Sequence, residues 1–455
     1  MAMVDDLAAF VVAAAYDQLS PQAQLQTKIR VLDALGCALG ALDSELVRMI
    51  AAQDEDFGGN PRCTLVGAGR TAPDRAAFYN SALVRFLDFN DSYLAKGETC
   101  HPSDNLGAVL AACEYAGGSG KDFLTALAVA YQVQCRLSDV APVRLRGFDH
   151  TTQGAYAVSA GVAKALHLDQ RKTAHAIAIA GTAFNALRVT RTGALSHWKG
   201  LAYPNTAFGA THAAFLAMRG VTGPGEVFEG NKGFMDSISG HFQLDWSKED
   251  LEVITRTAVK RFNAEIHSQS TIEAVLELRR EYHPTAGEIR NIEIDTFDVA
   301  FNIIGGGEEG EKLTVRTKEE ADHSLPYIVA AAILDGQVLP GQYLPERIQK
   351  GDIQTLLRRV KVQPVDEFSQ RFPAEMPCQV RIILQDGRVL TRGKSDYEGF
   401  PTRPMMWDTV VNKFERLSQS HASSSLQKQI EDTVLNLENL PIRDLTTLLE
   451  GAKIK

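Results

Sequence analysis

Two acids, an amide and a hydroxyl fall close together in Asp88-Phe89-Asn90-Asp91-Ser92, and a histidine opens the block His101-Pro102-Ser103-Asp104-Asn105. A buried carboxylate is costly unless it is paired, so acids beside Phe86, Leu87 and Phe89 call for partners. Carboxylates next to an imidazole can move a proton near neutral pH. Ser103 or Asp104 can cap a following helix, which explains part of this polarity. Capping does not explain Asp88 and Asp91.

Three further segments add mostly cations: Gly147-Phe148-Asp149-His150, then Arg188-Val189-Thr190-Arg191 running on to His197-Trp198-Lys199-Gly200, then Lys260-Arg261-Phe262-Asn263-Ala264-Glu265-Ile266-His267. Each basic residue alone reads as a solvated charge or a helix-end partner. Their concentration in loops between helices argues otherwise. If the loops converge they form a cationic pocket, suited to a substrate with several carboxylates.

The elements that must position these groups are mostly helical. Ser20-Pro21 is a cap with a first-turn proline, and Leu25, Ile29, Leu32 and Leu39 follow at helical spacing. Gly36 and Gly40 lie one turn apart in that helix, which predicts close approach of another helix. Helical runs are also expected at 105–115, 123–137, 155–166, 173–186 and 207–218. After about residue 285 the pattern turns to strands. Ile292, Ile294, Phe297 and Val299 form one stretch, Val360 and Val362 another. Val380, Ile382 and Leu384 alternate toward a turn at Asp386-Gly387. Residues 327–334 read as a helix between strands, and helical periodicity returns from Met405. The expected fold class is mainly α: a large helical domain over 1–265, a smaller inserted α+β domain over 266–400, and C-terminal helices over 401–455 that return to the first domain.

Composition narrows the function. The chain has 455 residues, 45% hydrophobic and 23% charged, with a net charge of −9. That acidity argues against a broad nucleic-acid or anionic-membrane surface. The six cysteines are scattered, without CxxC spacing, and read as buried thiols rather than a cluster site. The acidic start Asp5-Asp6 lacks the basic region of a secretory signal, and no apolar run reaches the ~18 residues of a membrane span, so a cytoplasmic location is expected. Two glycine-rich stretches mislead. Gly305-Gly306-Gly307-Glu308-Glu309-Gly310 matches a dinucleotide fingerprint, but its glutamates would repel a pyrophosphate. Gly117-Gly118-Ser119-Gly120-Lys121 lacks the following Ser/Thr of a phosphate loop and reads as a turn into a helix.

The run 87–92, the block 101–107, Ala264-Glu265-Ile266-His267-Ser268-Gln269, Leu32-Asp33-Ala34-Leu35-Gly36-Cys37 and Ala321-Asp322-His323-Ser324-Leu325-Pro326-Tyr327 occur in collinear order. Together they resemble the MmgE/PrpD family from about residue 30 to 415. The resemblance implies a large helical domain with an α+β lid, a homodimer, and chemistry on small polycarboxylates with no organic cofactor and no metal. It implies dehydration, decarboxylation or epimerisation, and the match is nearest the branch that dehydrates 2-methylcitrate. Glu265 stands where the decarboxylating branch has a histidine. By the same resemblance Asp88, Ser92, His101, His150, Lys199, Lys260 and Tyr327 line the site; Asp88, His101, His150, Lys199 and Tyr327 are expected to be catalytic, and Ser92 and Lys260, with the neighbouring Arg188, Arg191 and His267, to bind substrate. In the implied mechanism Asp88 orients His101 as base, Lys199, Lys260 and His150 stabilise developing charge, Tyr327 assists the leaving hydroxyl, and the two arginines hold outer carboxylates. Base and acid can be exchanged between His101 and His150.

Overall fold

The computed structural model describes residues 2–192 and 196–453. They divide into two compact units, the first made of Met1–Val259 and Met405–Lys455, the second of Lys260–Pro404.

The first unit is built of helices, numbered here in chain order: α1 (Pro21–Gly40), α2 (Pro73–Phe86), α3 (Leu106–Ala116), α4 (Gly120–Val140), α5 (Thr151–Ala165), α6 (Gln170–Ala183) and α7 (Trp198–Met218). Local chemistry starts several of them. Ser20 Oγ accepts from Ala23 N ahead of Pro21, and Ser119 and Asp122 form a reciprocal cap at the start of α4. The Gly117–Lys121 stretch is therefore a helix entry, as its sequence suggests. Helix α5 is buried almost throughout and packs on α4, α6 and α7. A helix apolar all round belongs in a core, and its small residues let neighbours come close.

The C-terminal segment returns to this unit through the helix Trp407–Ser418, which packs against α1. A Cβ placed on Gly36 would lie 3.2 Å from the Phe414 Cα, so the glycine is what permits this approach. Lys413, on the same helix, pairs with buried Asp33 at 2.6 Å and donates to the Phe89 carbonyl at 2.8 Å. One ammonium thus ties α1 to the loop that follows α2. Two short hairpins complete the unit, β1 (Cys63–Leu65) with β2 (Gly69–Thr71) and β3 (Tyr93–Ala95) with β4 (Glu98–Cys100).

The second unit holds a four-stranded sheet of β5 (Ile289–Thr296), β6 (Val360–Pro364), β7 (Cys378–Leu384) and β8 (Val389–Lys394), in the order β6-β5-β7-β8. Strand β6 runs parallel to β5, with Ile292 opposite Val360, and the other pairings are antiparallel. The chain between the parallel strands includes α9 (Leu325–Asp335), as a parallel connection requires, and α8 (Gln269–Tyr282) precedes the sheet. Ile292, Ile294, Val380 and Ile382 form its core with Leu278 and Ile328. The strand pattern expected through Val299 stops at Thr296, because Asp298–Ala300 turns helical.

The unit boundaries fall at 259/260 and 404/405 rather than at the expected 265/266 and 400/401. Hydrogen bonds give the reason. Asn263 N donates to Val338 O, Arg261 N and Phe262 N donate to the Gln269 side chain, and Arg403 pairs with Glu273, so these flanking residues fold with the second unit. All six cysteines are buried. Among the described residues no helix is long and apolar enough to cross a membrane.

Candidate active site

The 87–92 loop begins where α2 ends. Asp88 has φ +52, a left-handed conformation uncommon outside glycine but tolerated by Asp and Asn, and its N–H donates to the Arg85 carbonyl at 3.0 Å. This turn returns the Asp88 side chain to its own helix, where Oδ1 accepts from Arg85 Nη1 at 2.8 Å. The other carboxylate oxygen lies 3.7 Å from Nζ of Lys199, in the first turn of α7. All three side chains are buried. Burial alone would weaken the Arg85 charge, but Asp88 and Asp104 overcome it and strengthen the guanidinium.

The remaining polar residues of the loop fasten it to the block that carries His101. Asn90 Nδ2 donates to Ser103 Oγ at 2.9 Å and to Asp104 Oδ1 at 2.8 Å. Asp91 accepts from Ser103 N at 3.0 Å and from the Tyr131 hydroxyl at 2.7 Å. Both oxygens of Asp91 are committed to holding the fold. Asp104 does not cap α3, which has no side-chain cap. Its carboxyl is fully buried, and desolvation, only partly offset by Arg85 and Arg191, pushes its pKa up to about 7.

His101 follows β4. Its Nδ1 lies 2.9 Å from the Asp91 carbonyl oxygen and 3.1 Å from Ser92 Oγ. A carbonyl only accepts, so Nδ1 carries the proton and Nε2 the lone pair. The contacts on Nδ1 come from the Asp91 carbonyl and the Ser92 hydroxyl, while Asp88 holds Arg85 and lies beside Lys199. Ser92 is fully buried and acts on His101.

His150 stands at the start of α5, edge to face with His101, the ring centroids 5.5 Å apart. Its other face stacks on Tyr203 of α7 at 6.0 Å. Gly154 makes room for that tyrosine, since a Cβ there would come within 2.6 Å of the ring. Burial, aided by Arg191, Arg85 and Arg188 and opposed by Asp149, lowers the His150 pKa to about 3. His150 is therefore neutral, so any stabilisation of developing charge by this ring is by hydrogen bond.

Arg191 gives Nε to Asp149 Oδ2 at 2.7 Å and Nη2 to His150 Nε2 at 3.0 Å, and Arg188 lies 3.7 Å from Asp149. Burial would raise the Asp149 pKa, yet Arg191, by charge and by hydrogen bond, and then Arg188 hold it well below the usual carboxylate range. Asp149 is the missed member of this group. Its place beside His150 in sequence was the available signal, as the i−3 spacing to Asp88 was for Arg85.

The first unit thus brings together Asp88, Ser92, His101, His150, Arg188, Arg191 and Lys199. The other three expected residues belong to the second unit. Lys260 is buried there. His267 Nδ1 is 2.7 Å from Glu265 Oε1, and Glu265, despite burial, is held below its ordinary pKa by His267, His323 and Lys260. The His267 ring lies against Phe297 and Phe372. Tyr327 is fully buried in the apolar core, and its hydroxyl donates to the Gln342 carbonyl. That commitment corrects the expectation that it reaches toward a leaving hydroxyl.

Residues 5–247 match the MmgE/PrpD N-terminal domain and residues 262–439 the MmgE/PrpD C-terminal domain. The chain is 25% identical to the cis-aconitate decarboxylase of Mus musculus over 94% of its own length and 90% of that protein. It is 29% identical to a 2-methylcitrate dehydratase of Escherichia coli O157:H7, over 92% of this chain and 91% of that one. It is 27% identical to the mitochondrial 2-methylcitrate dehydratase of Yarrowia lipolytica, over 80% and 74%. With both domain models matched in order along most of its length, the chain belongs to the MmgE/PrpD family.

Proposed function

We propose that this protein is a cofactor-independent lyase of the carbon–oxygen type that removes water from 2-methylcitrate or a closely related tricarboxylate. The observation that carries the reading is the state of His101: Nδ1–H is fixed on the Asp91 carbonyl, so Nε2 is the basic nitrogen. It takes the proton next to a substrate carboxylate. The lone pair of His150 is occupied by Arg191, which supports giving the base role to His101. Negative charge then accumulates on that carboxylate, where a donor already in place is most effective. Lys199, kept as ammonium by Asp88, protonates the departing hydroxyl, which leaves as water with both electrons of the C–O bond. The His101 proton goes to solvent and Lys199 regains one. The relatives named 2-methylcitrate dehydratase support this substrate class.

A second reading, decarboxylation of cis-aconitate, is favoured by the decarboxylase relative that aligns over 94% of the chain. One experiment separates them. The protein is incubated with a tricarboxylate panel while unsaturation is followed at short ultraviolet wavelengths and released carbon dioxide is trapped. Growth of unsaturation from 2-methylcitrate supports dehydration. Carbon dioxide from cis-aconitate transfers the assignment to the decarboxylase, and inertness toward the whole panel overturns both. The proposal includes a homodimer, tested by light scattering.

A further inference from the structure

We propose that Arg191 is a positioning residue that locks His150 in the tautomer bearing its proton on Nδ1, and that this N–H is the donor meeting a substrate carboxylate oxygen. The inference rests on the polycarboxylate reading above and deepens it.

A guanidinium has only donors, so the 3.0 Å contact from Arg191 Nη2 makes His150 Nε2 an acceptor and leaves the proton on Nδ1. Arg191 is itself held by Asp149 at 2.7 and 3.3 Å, a two-point grip that fixes its plane. Tyr203 stacks on the imidazole. Every constraint on the ring is thus met on Nε2 and the ring face, while Nδ1 is fully buried and has no hydrogen-bond partner. Buried donors are rarely left unmade in a folded protein, and one kept beside the base His101 is completed when a ligand oxygen arrives. The charged and titratable groups around the ring are Asp149, Arg188, Arg191, Arg85, His101 and Tyr203. The three arginines oppose an imidazolium, so the donor stays neutral. Arg191, expected from sequence to clasp an outer carboxylate, is already spent.

The test reads the tautomer of His150 by nitrogen and carbon NMR of the histidine-labelled, full-length resting protein, assigned with His150→Asn. The wild type should show Nδ1–H with no titration between pH 6 and pH 8. Arg191→Met should give mixed tautomers, because no donor then fixes Nε2 as the acceptor. It should also lower kcat about tenfold or more with KM little changed. Arg191→Lys, which keeps one donor, should restore most of both. An Nε2–H form in the wild type, an unchanged His150 signal in Arg191→Met, or a loss confined to KM would overturn the proposal. If Arg191→Met does not fold, the wild-type spectrum still decides. The spectra need no substrate, so inertness toward all tricarboxylates would sink the functional reading and leave the tautomer lock to be judged on its own.

Discussion

The ammonium of Lys199 stands 3.7 Å from the carboxylate of Asp88, with both side chains withdrawn from solvent. Asp88 is shared, because Arg85 holds its other oxygen at 2.8 Å. The carboxylate lies between two basic groups and strengthens the Arg85 guanidinium against its burial. The arrangement fixes a positive group at a set point in a buried site, which is where charge stabilisation is most effective.

Lys199→Ala should therefore reduce turnover by about 10²–10³-fold, the range found when one preorganised donor is removed. Far-UV circular dichroism and the melting temperature should change little. Steady-state kinetics on the best substrate of the panel check this, and near-normal turnover would remove Lys199 from the mechanism.

His101→Ala should lower kcat by a further order of magnitude or more, since general-base catalysis contributes roughly 10²–10⁴-fold. Ser92→Ala removes only one of the two contacts on Nδ1 and should cost about tenfold or less, with the Asp91 carbonyl still holding the ring. The order of the two effects is the measurement.

Asp104 makes stability depend on pH in a definite direction. Its pKa rises from 3.8 to about 7 in the folded protein, so between those values the folded chain keeps a proton the unfolded chain has released. The resulting stability is complete below about pH 4 and is lost as pH rises through 7. Asp104→Asn should flatten this part of the pH–melting profile relative to wild type. Parallel profiles for the two proteins would contradict the assignment.

Tyr327→Phe should leave kcat within about twofold while costing about 1 kcal/mol of stability, the usual net worth of one buried hydrogen bond. A large loss of kcat without loss of stability would return the hydroxyl to the reaction.

Gly36→Val should destabilise the protein by about 1–3 kcal/mol, because the added carbon meets the Phe414 backbone and the helix cannot yield cheaply. KM should not move, since Gly36 touches none of the candidate active-site residues.

Much of this architecture was legible in residue spacing. Gly36 and Gly40 announced a close helix contact, and Val380, Ile382 and Leu384 announced a half-buried strand, since both patterns are local and periodic. The membership of the site was legible through short motifs. The roles within it were not, because role depends on pairing across long sequence distances. Arg191 reads as a free cation until Asp149 and His150 are seen to occupy it. Asp91 reads as a carboxylate that capping does not explain until Ser103 and Tyr131 take its two oxygens. Tyr327 looks reactive in a polar motif, yet the motif turns into a core helix at Leu325, two residues before it.

The contact between α1 and the helix Trp407–Ser418 also sets a timetable for synthesis. The first unit is interrupted after Val259 and resumes only at Met405. At roughly 5–20 residues per second, a ribosome needs about 8–30 s to deliver the returning helix after the earlier helices have emerged. During that interval the Gly36 face of α1 and the Asp33 carboxylate lack their closing partners, while the second unit, contiguous in sequence, can already be complete. The nascent chain therefore finishes its inserted part first and its enclosing part last.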